Sequence, residues 1–169
     1  MLSGGNPRKF ERVDEVIELV LNNQSRLPEL FKCLFSLDEI VRMRAGDGLE
    51  KICRQQPDWF KSFIDRLFDE VSKIDQSSVQ WHLAQMLGEI ELTPDQKQKA
   101  IKLLKARVSS LDVDWIVAAN TMETLAQFVR HGAMPAQDLK PILKKQQGHH
   151  SKAVGRRATK LLSEFANLI

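Results

Sequence analysis

The side chains best suited to catalysis or metal binding are few in this chain, and their spacing brings no set of them together. His149 and His150 follow Gly148 in a predicted turn. Neighbouring histidines on a turn do not present both rings to one ion without further ligands, so we expect a solvated turn rather than a metal site. His82 and His131 have no partner that their spacing would identify.

The carboxylates and thiols are equally dispersed. Asp47 and Glu123 fall at corresponding places of a repeated pattern, two units apart. A helix spacing of about 8–10 Å per unit separates them by roughly 16–20 Å, which is too far for an acid–base pair. Cys33 and Cys53 lie among apolar residues, so we expect two reduced core thiols. We therefore predict a protein without catalytic residues, metal or bound cofactor.

The elements that carry these residues follow a repeat. The pattern V-x3-[A/L/T]-x3-L-x2-[I/F] begins at Val41, Val79, Val117 and Val154, at intervals of 38, 38 and 37 residues. The sixteen residues at its specified positions, all apolar except Thr121, recur at the spacing of one face of an amphipathic helix, and we call them the core stripe. A period of this length is typical of helical solenoids, in which each unit buries its apolar face against its neighbours.

The repeat predicts helix, short turn and helix in four successive units. The second helices of the units are expected near residues 38–54, 77–91, 113–131 and 151–167. The first helices are expected near 25–36, 57–73, 94–109 and 135–147, with one more helix near 10–22. Residues 1–8 are predicted to be a frayed lead-in, and we expect one domain over residues 1–169.

Helix start signals support these boundaries. Thr93, Pro94 and Gln96 combine an N-cap threonine, a proline at the first helical position and a glutamine at the third. Two further capping boxes are expected at residues 36–39 and 77–80.

Residues 37–49 read LDEIVRMRAGDGL, in which acidic residues precede a Val-Arg pair and Ala45 follows one turn later. This segment resembles the second helix of a HEAT repeat. The other units keep the apolar positions but have Gln80, Ala118 and Gly155 in place of the arginine. The resemblance implies an all-α fold, a right-handed α–α superhelix of about four helix pairs plus an N-terminal helix, with the second helices lining the concave side. We therefore predict a non-catalytic protein-interaction module or scaffold.

Helical geometry identifies the face opposite the core stripe. At about 100° per residue, the positions two, six, nine and thirteen residues after each repeated valine point away from that stripe, and we call them the outward positions. With Trp115, two residues before its valine, they supply six candidate binding residues: Met43, Trp81, Trp115, Arg130, Arg156 and Lys160. Exposed aromatic and basic side chains are typical anchors for a partner. If the predicted faces are rotated, both tryptophans belong to the core instead.

Charge is distributed unevenly along the chain. Residues 1–92 contain 12 basic and 16 acidic residues, a net charge of −4, whereas residues 93–169 contain 13 and 6, a net charge of +7. This asymmetry either arises by chance or steers an anionic partner to the C-terminal half.

Nucleic-acid binding through the basic half is the alternative function. A phosphate-binding stripe would include basic residues of two first helices, and a solvated outer face is the other interpretation of the same residues: Lys97, Lys99, Lys102, Lys105, Arg107, Lys140, Lys144 and Lys145. The tryptophans and the basic end are also similar to those of HEAT-like alkylpurine DNA glycosylases. However, Gln85 stands one turn after Trp81 where such an enzyme needs a carboxylate, so a relative of this kind would be inactive.

The sequence contains no run of about 18 apolar residues and no signal-peptide pattern at its start, so we expect a cytoplasmic protein without a membrane span. The expected partner is a protein or peptide, with an acidic segment as one option. The oligomeric state stays open.

Overall fold

The computed structural model describes Leu2 and residues 11–168. These residues form nine α-helices and no β-strand, which confirms the all-α prediction. The helices are α1 (Glu11–Leu21), α2 (Leu27–Lys32), α3 (Glu39–Gln55), α4 (Ile64–Asp69), α5 (Ser77–Glu89), α6 (Pro94–Arg107), α7 (Trp115–Arg130), α8 (Ala136–Gln146) and α9 (Lys152–Glu164). The predicted second helices correspond to α3, α5, α7 and α9.

The first helices differ from the prediction in two of the four repeats. The segments expected at 25–36 and 57–73 are broken into a short α-helix, α2 or α4, flanked by 3-10 turns.

The chain divides into two compact units, Met1–Glu91 and Leu92–Ile169, here called unit 1 and unit 2. A single domain over residues 1–169 stays a prediction. Apart from Leu2, the lead-in predicted at residues 1–8 lies outside the described residues.

The core stripe is buried as the repeat predicts. Of its sixteen members, fourteen are buried, and only Val41 and Leu162 are intermediate in exposure. Burying an aliphatic or aromatic side chain of this size stabilises a fold by about 1.5–3 kcal/mol. The repeated pattern therefore identifies the buried face of each second helix.

The second helices begin in register. Their N-cap residues all lie three positions before the repeated valine and are Asp38, Gln76, Asp114 and Ser151. The two aspartates cap by side chain, since Asp38 Oδ1 accepts from the backbone N–H of Ile40 at 2.8 Å and Asp114 Oδ1 accepts from that of Ile116 at 2.9 Å.

One predicted capping box is confirmed and two are wrong. At α6, Thr93 Oγ1 accepts from the N–H of Gln96, and the Gln96 side chain accepts from the N–H of Thr93. The box at 36–39 fails because the helix begins later and Asp38 caps it. The box at 77–80 fails because Gln76, not Ser77, is the N-cap residue of α5, and because Gln80 Nε2 donates to the carbonyls of Ser72 and Ile74 in the preceding loop.

That loop contact explains how unit 1 tolerates glutamine in place of arginine after the repeated valine. In α3, Arg42 Nη1 donates to the carbonyl of Ser36 in the loop before its own helix, at 2.7 Å. Gln80 makes the corresponding contact one repeat later. Arg42 Nε also donates to Gln76 Oε1 at 2.6 Å, which joins α3 to the cap of α5. The two residues thus share one structural role.

Close packing of α3 and α5 accounts for a glycine inside α3. A Cβ atom added at Gly46 would lie 3.2 Å from Cδ2 of His82, whose side chain is buried against α3. This distance is shorter than an ordinary van der Waals contact, so the position favours glycine. The helical cost of glycine, up to about 1 kcal/mol, is offset by the close approach that it permits.

Candidate interaction surface

In unit 1 the first outward positions are partly exposed. Met43 on α3 and Trp81 on α5 are both intermediate in exposure, and the two helices pack against each other. The Trp81 ring also stacks on His82, with ring centroids 3.4 Å apart. Trp81 is therefore neither fully exposed nor a core residue.

The outward face of unit 1 is narrower than the helical geometry predicts. Glu50, at the third outward position of α3, is buried and forms an ion pair with Arg54. Burial raises the pKa of the Glu50 carboxyl, and the neighbouring guanidinium opposes that shift. At the second outward position, Asp47 pairs with Lys51 at 2.9 Å. The charged outward residues of α3 are thus engaged within the unit.

In unit 2 the most exposed aromatic side chain is Trp115, the first residue of α7. Its relative exposure is 51%. Asp114 caps the helix directly before it, so the backbone that carries the ring has a defined position. This tryptophan is not a core residue.

The loop before Trp115 is held by side chains from α8 and the turn that follows it. They bond to four of its backbone carbonyls: Lys145 Nζ to Ser109 at 2.5 Å, Gln146 Nε2 to Val108 at 2.9 Å and to Ser110 at 2.7 Å, and His149 Nε2 to Val113 at 2.9 Å. Gln146 is fully buried. Trp115 is therefore presented by a loop that is fixed at several points.

His149 corrects the expectation of a solvated turn. Its side chain is only 6% exposed, and Nδ1 accepts a hydrogen bond from the backbone N–H of Ser151 at 3.0 Å. Because Nδ1 is the acceptor, Nε2 carries the proton and donates to the carbonyl of Val113. His150 is exposed, as the prediction requires.

The candidate residue Arg130 lies in an ion-pair cluster between α7 and α9. Its Nε and Nη2 donate to the two carboxylate oxygens of Glu164 at 2.6 and 2.9 Å, and Nη1 donates to Glu123 at 2.8 Å. Arg157 of α9 pairs with Glu123 at 3.3 Å. The hydrogen bonds that Arg130 donates to Glu164 lower the pKa of Glu164 and raise the pKa of Arg130. This cluster joins α7 to α9, the two second helices of unit 2.

Arg156 lies instead beside an open cavity of about 450 Å³ on α9. Six residues line this cavity: Gln147, His149, Lys152, Gly155, Arg156 and Thr159. Two of them, Lys152 and Arg156, are cations, and none is a carboxylate. Lys152 is the residue that the sequence interpretation missed. It lies two positions before Val154, as Trp115 lies two positions before Val117, and this shared register is the signal that would have identified it. Lys160 is exposed one turn beyond Arg156.

The eight basic residues considered above as a phosphate-binding stripe lie on α6 and α8, and they are not all solvated. Lys105 pairs with Asp138 of α8 at 3.2 Å, and Lys145 bonds to the loop before α7. Burial lowers the pKa of Arg107. Lys105, Arg107 and Lys145 are thus engaged or partly buried within the unit.

A family model described as a HEAT repeat domain matches residues 5–126. No curated protein and no solved structure matches the chain. None of the helices in the described part of the chain is long and apolar enough to cross a membrane.

Proposed function

Because the chain belongs to the HEAT-repeat family, whose repeats generally mediate protein interactions, we propose that it is a non-catalytic module that binds a peptide, helix or loop of a protein partner. Within each unit, a partner would contact the outward positions of the second helices, on the side that the family resemblance describes as concave. Met43 and Trp81 would be apolar anchors in unit 1, and Trp115 would be the apolar anchor in unit 2. Arg156 and Lys160 would contact its acidic groups.

The observation that carries this proposal is the exposure of Trp115 on a fixed loop. A large aromatic side chain that stays half exposed contributes little to the core and offers an apolar contact area to a partner. Because the loop beneath it is already ordered, little conformational entropy would be lost on binding.

Arg130 enters the proposal with a different role. Its guanidinium is already bonded to Glu123 and Glu164, so a partner carboxylate would compete with two internal ones. We propose that Arg130 mainly keeps α7 and α9 in place beneath the binding residues.

The proposal is tested by crosslinking capture with three immobilised proteins. They are the unaltered chain, the double variant Trp115→Ala with Arg156→Gln, and the control Lys102→Gln, which changes an exposed residue of α6. We expect the control to retain the captured proteins and the double variant to lose a defined subset of them. An identical set of captured proteins on all three would contradict the proposal.

Nucleic-acid binding remains the second candidate because unit 2 has a net charge of +7. It would use phosphate contacts, whose affinity falls by roughly 10³–10⁵ between about 50 and 200 mM salt when several are made. An aromatic-anchored peptide site should weaken much less. Binding of labelled DNA at the two salt concentrations separates the two functions.

A further inference from the structure

We propose that the face formed by α7 and α9 in unit 2 binds an acidic peptide segment, with Lys152 and Arg156 as its carboxylate-binding residues and Trp115 as its apolar anchor. This inference rests on the proposed function and specifies the chemistry of the partner. The structure adds Lys152 to the site and separates the two arginines Arg130 and Arg156 by role.

Register places these side chains on one face. Trp115 and Lys152 occupy the same repeat position on α7 and α9, and Ala119 and Arg156 occupy the first outward position of each helix. The helices pack against each other. The ion pair of Arg130 with Glu164 fixes their relative position.

The charges on this face are not balanced internally. The two carboxylates within α7 and α9, Glu123 and Glu164, are each bonded to arginine, and the N-cap carboxylate of Asp114 accepts from the backbone N–H of Ile116. By contrast, Lys152 and Arg156 have no ion-pair or hydrogen-bond partner among residues 11–168, and no carboxylate lines the cavity beside them. Two cations without counter-charges beside an open cavity favour an anionic ligand.

Beside the cavity, the backbone of α9 packs closely against the end of α8. A Cβ atom at Gly155 would lie 2.9 Å from the carbonyl oxygen of Gln147, so α9 approaches the end of α8 as closely as a glycine allows. Gln147 Nε2 donates to Thr159 Oγ1 at 2.9 Å across the same cavity. The side chains around the cations are therefore positioned before any ligand arrives, which reduces the cost of binding.

A peptide suits this face better than a nucleic acid does. Strands of nucleic acid are held by a row of phosphate contacts and by several stacked bases. Here the outward positions of α7 and α9 present one exposed aromatic ring, and two of the arginines nearby are neutralised by carboxylates. One apolar anchor beside two cations matches an acidic segment with a single apolar side chain.

The test is fluorescence anisotropy with a labelled peptide in which glutamates surround one leucine, and with its counterpart in which glutamines replace the glutamates. We expect the glutamate peptide to bind and the glutamine peptide to bind at least about tenfold more weakly, because the charge contacts are lost. Lys152→Gln combined with Arg156→Gln should weaken the glutamate peptide by about tenfold or more, and Trp115→Ala should weaken both peptides. The matched control is Lys102→Gln combined with Lys144→Gln, which removes the same charge from exposed first-helix positions.

Equal binding of both peptides, or equal loss in the control, would overturn the inference. Tighter binding of single-stranded DNA, dependent on Lys152 and Arg156, would overturn it in favour of a nucleic-acid ligand. Failure here is distinguishable from failure of the proposed function. If the double variant Trp115→Ala with Arg156→Gln still loses captured proteins while neither peptide binds, the interaction module stands and only the acidic chemistry is wrong.

Discussion

At the scale of single residues, two neighbours on α5, Trp81 and His82, differ in their exposure to solvent. His82 is buried, and burial lowers its pKa to about 3, with Lys51 and Arg54 contributing in the same direction. Trp81, its neighbour in sequence, is partly exposed. Two adjacent aromatic residues of α5 thus have different environments, one in the core and one at the partly exposed surface.

The lowered pKa of His82 predicts loss of stability in acid. The unfolded chain titrates near the ordinary histidine value of about 6.5 and so binds a proton that the folded chain excludes until about pH 3. The stability contributed by neutral His82 is therefore present above the unfolded pKa and is lost as pH falls from about 6.5 towards 3, by up to about 1.4 kcal/mol per pH unit. Urea unfolding at several pH values measures this dependence.

The control for this prediction removes the titrating group. His82→Phe should show a shallower decline of unfolding free energy between pH 6.5 and 4 than the unaltered chain, whatever its stability at neutral pH. Parallel slopes for His82→Phe and the unaltered chain would show that His82 is not held neutral by the fold.

At the scale of elements, the second helices could be predicted from sequence and their long-range partners could not. The core stripe is a local signal, because the spacing of Val79, Leu83 and Leu87 follows from helical geometry alone. The bond of Arg130 to Glu164 joins residues 34 apart, and that of His149 to Val113 joins residues 36 apart. No local rule pairs these side chains, since their meeting depends on how the helices pack.

The candidate site shows the same division. Helical phase correctly placed Trp115 and Arg156 away from the core, but it could not show that Arg130 is bonded to two carboxylates. It also predicted Glu50 to be outward, whereas that side chain is buried and paired with Arg54. The periodicity of one helix does not reveal which of its faces a neighbouring helix covers.

The loop before α7 provides a prediction at this scale. His149→Ala removes the donor to Val113 and the acceptor for Ser151, so buried polar groups lose their partners. We expect a loss of about 1–3 kcal/mol in the unfolding free energy, which thermal or urea denaturation would measure. His150→Ala is the matched control and should change stability by less than about 0.5 kcal/mol because the residue is exposed. Equal effects of the two substitutions would mean that His149 does not hold the loop.

At the scale of the whole molecule, the two units differ in charge and in the state of their outward positions. Unit 1 has a net charge of −4 and unit 2 one of +7. The outward charges of α3 are paired with one another, whereas Lys152 and Arg156 of α9 are not paired within the described residues. These differences are the reason that we propose unit 2 as the part that recognises an acidic partner.

The proposed binding face must be separable from the core that stabilises the fold. The most direct measurement is the unfolding free energy of Trp115→Ala, compared with that of the unaltered chain by urea denaturation. We predict a change of less than about 1 kcal/mol, because the half-exposed ring is available to a partner rather than packed in the core. A loss of about 3–5 kcal/mol, as expected for truncation of a buried tryptophan, would contradict the account and return Trp115 to the core.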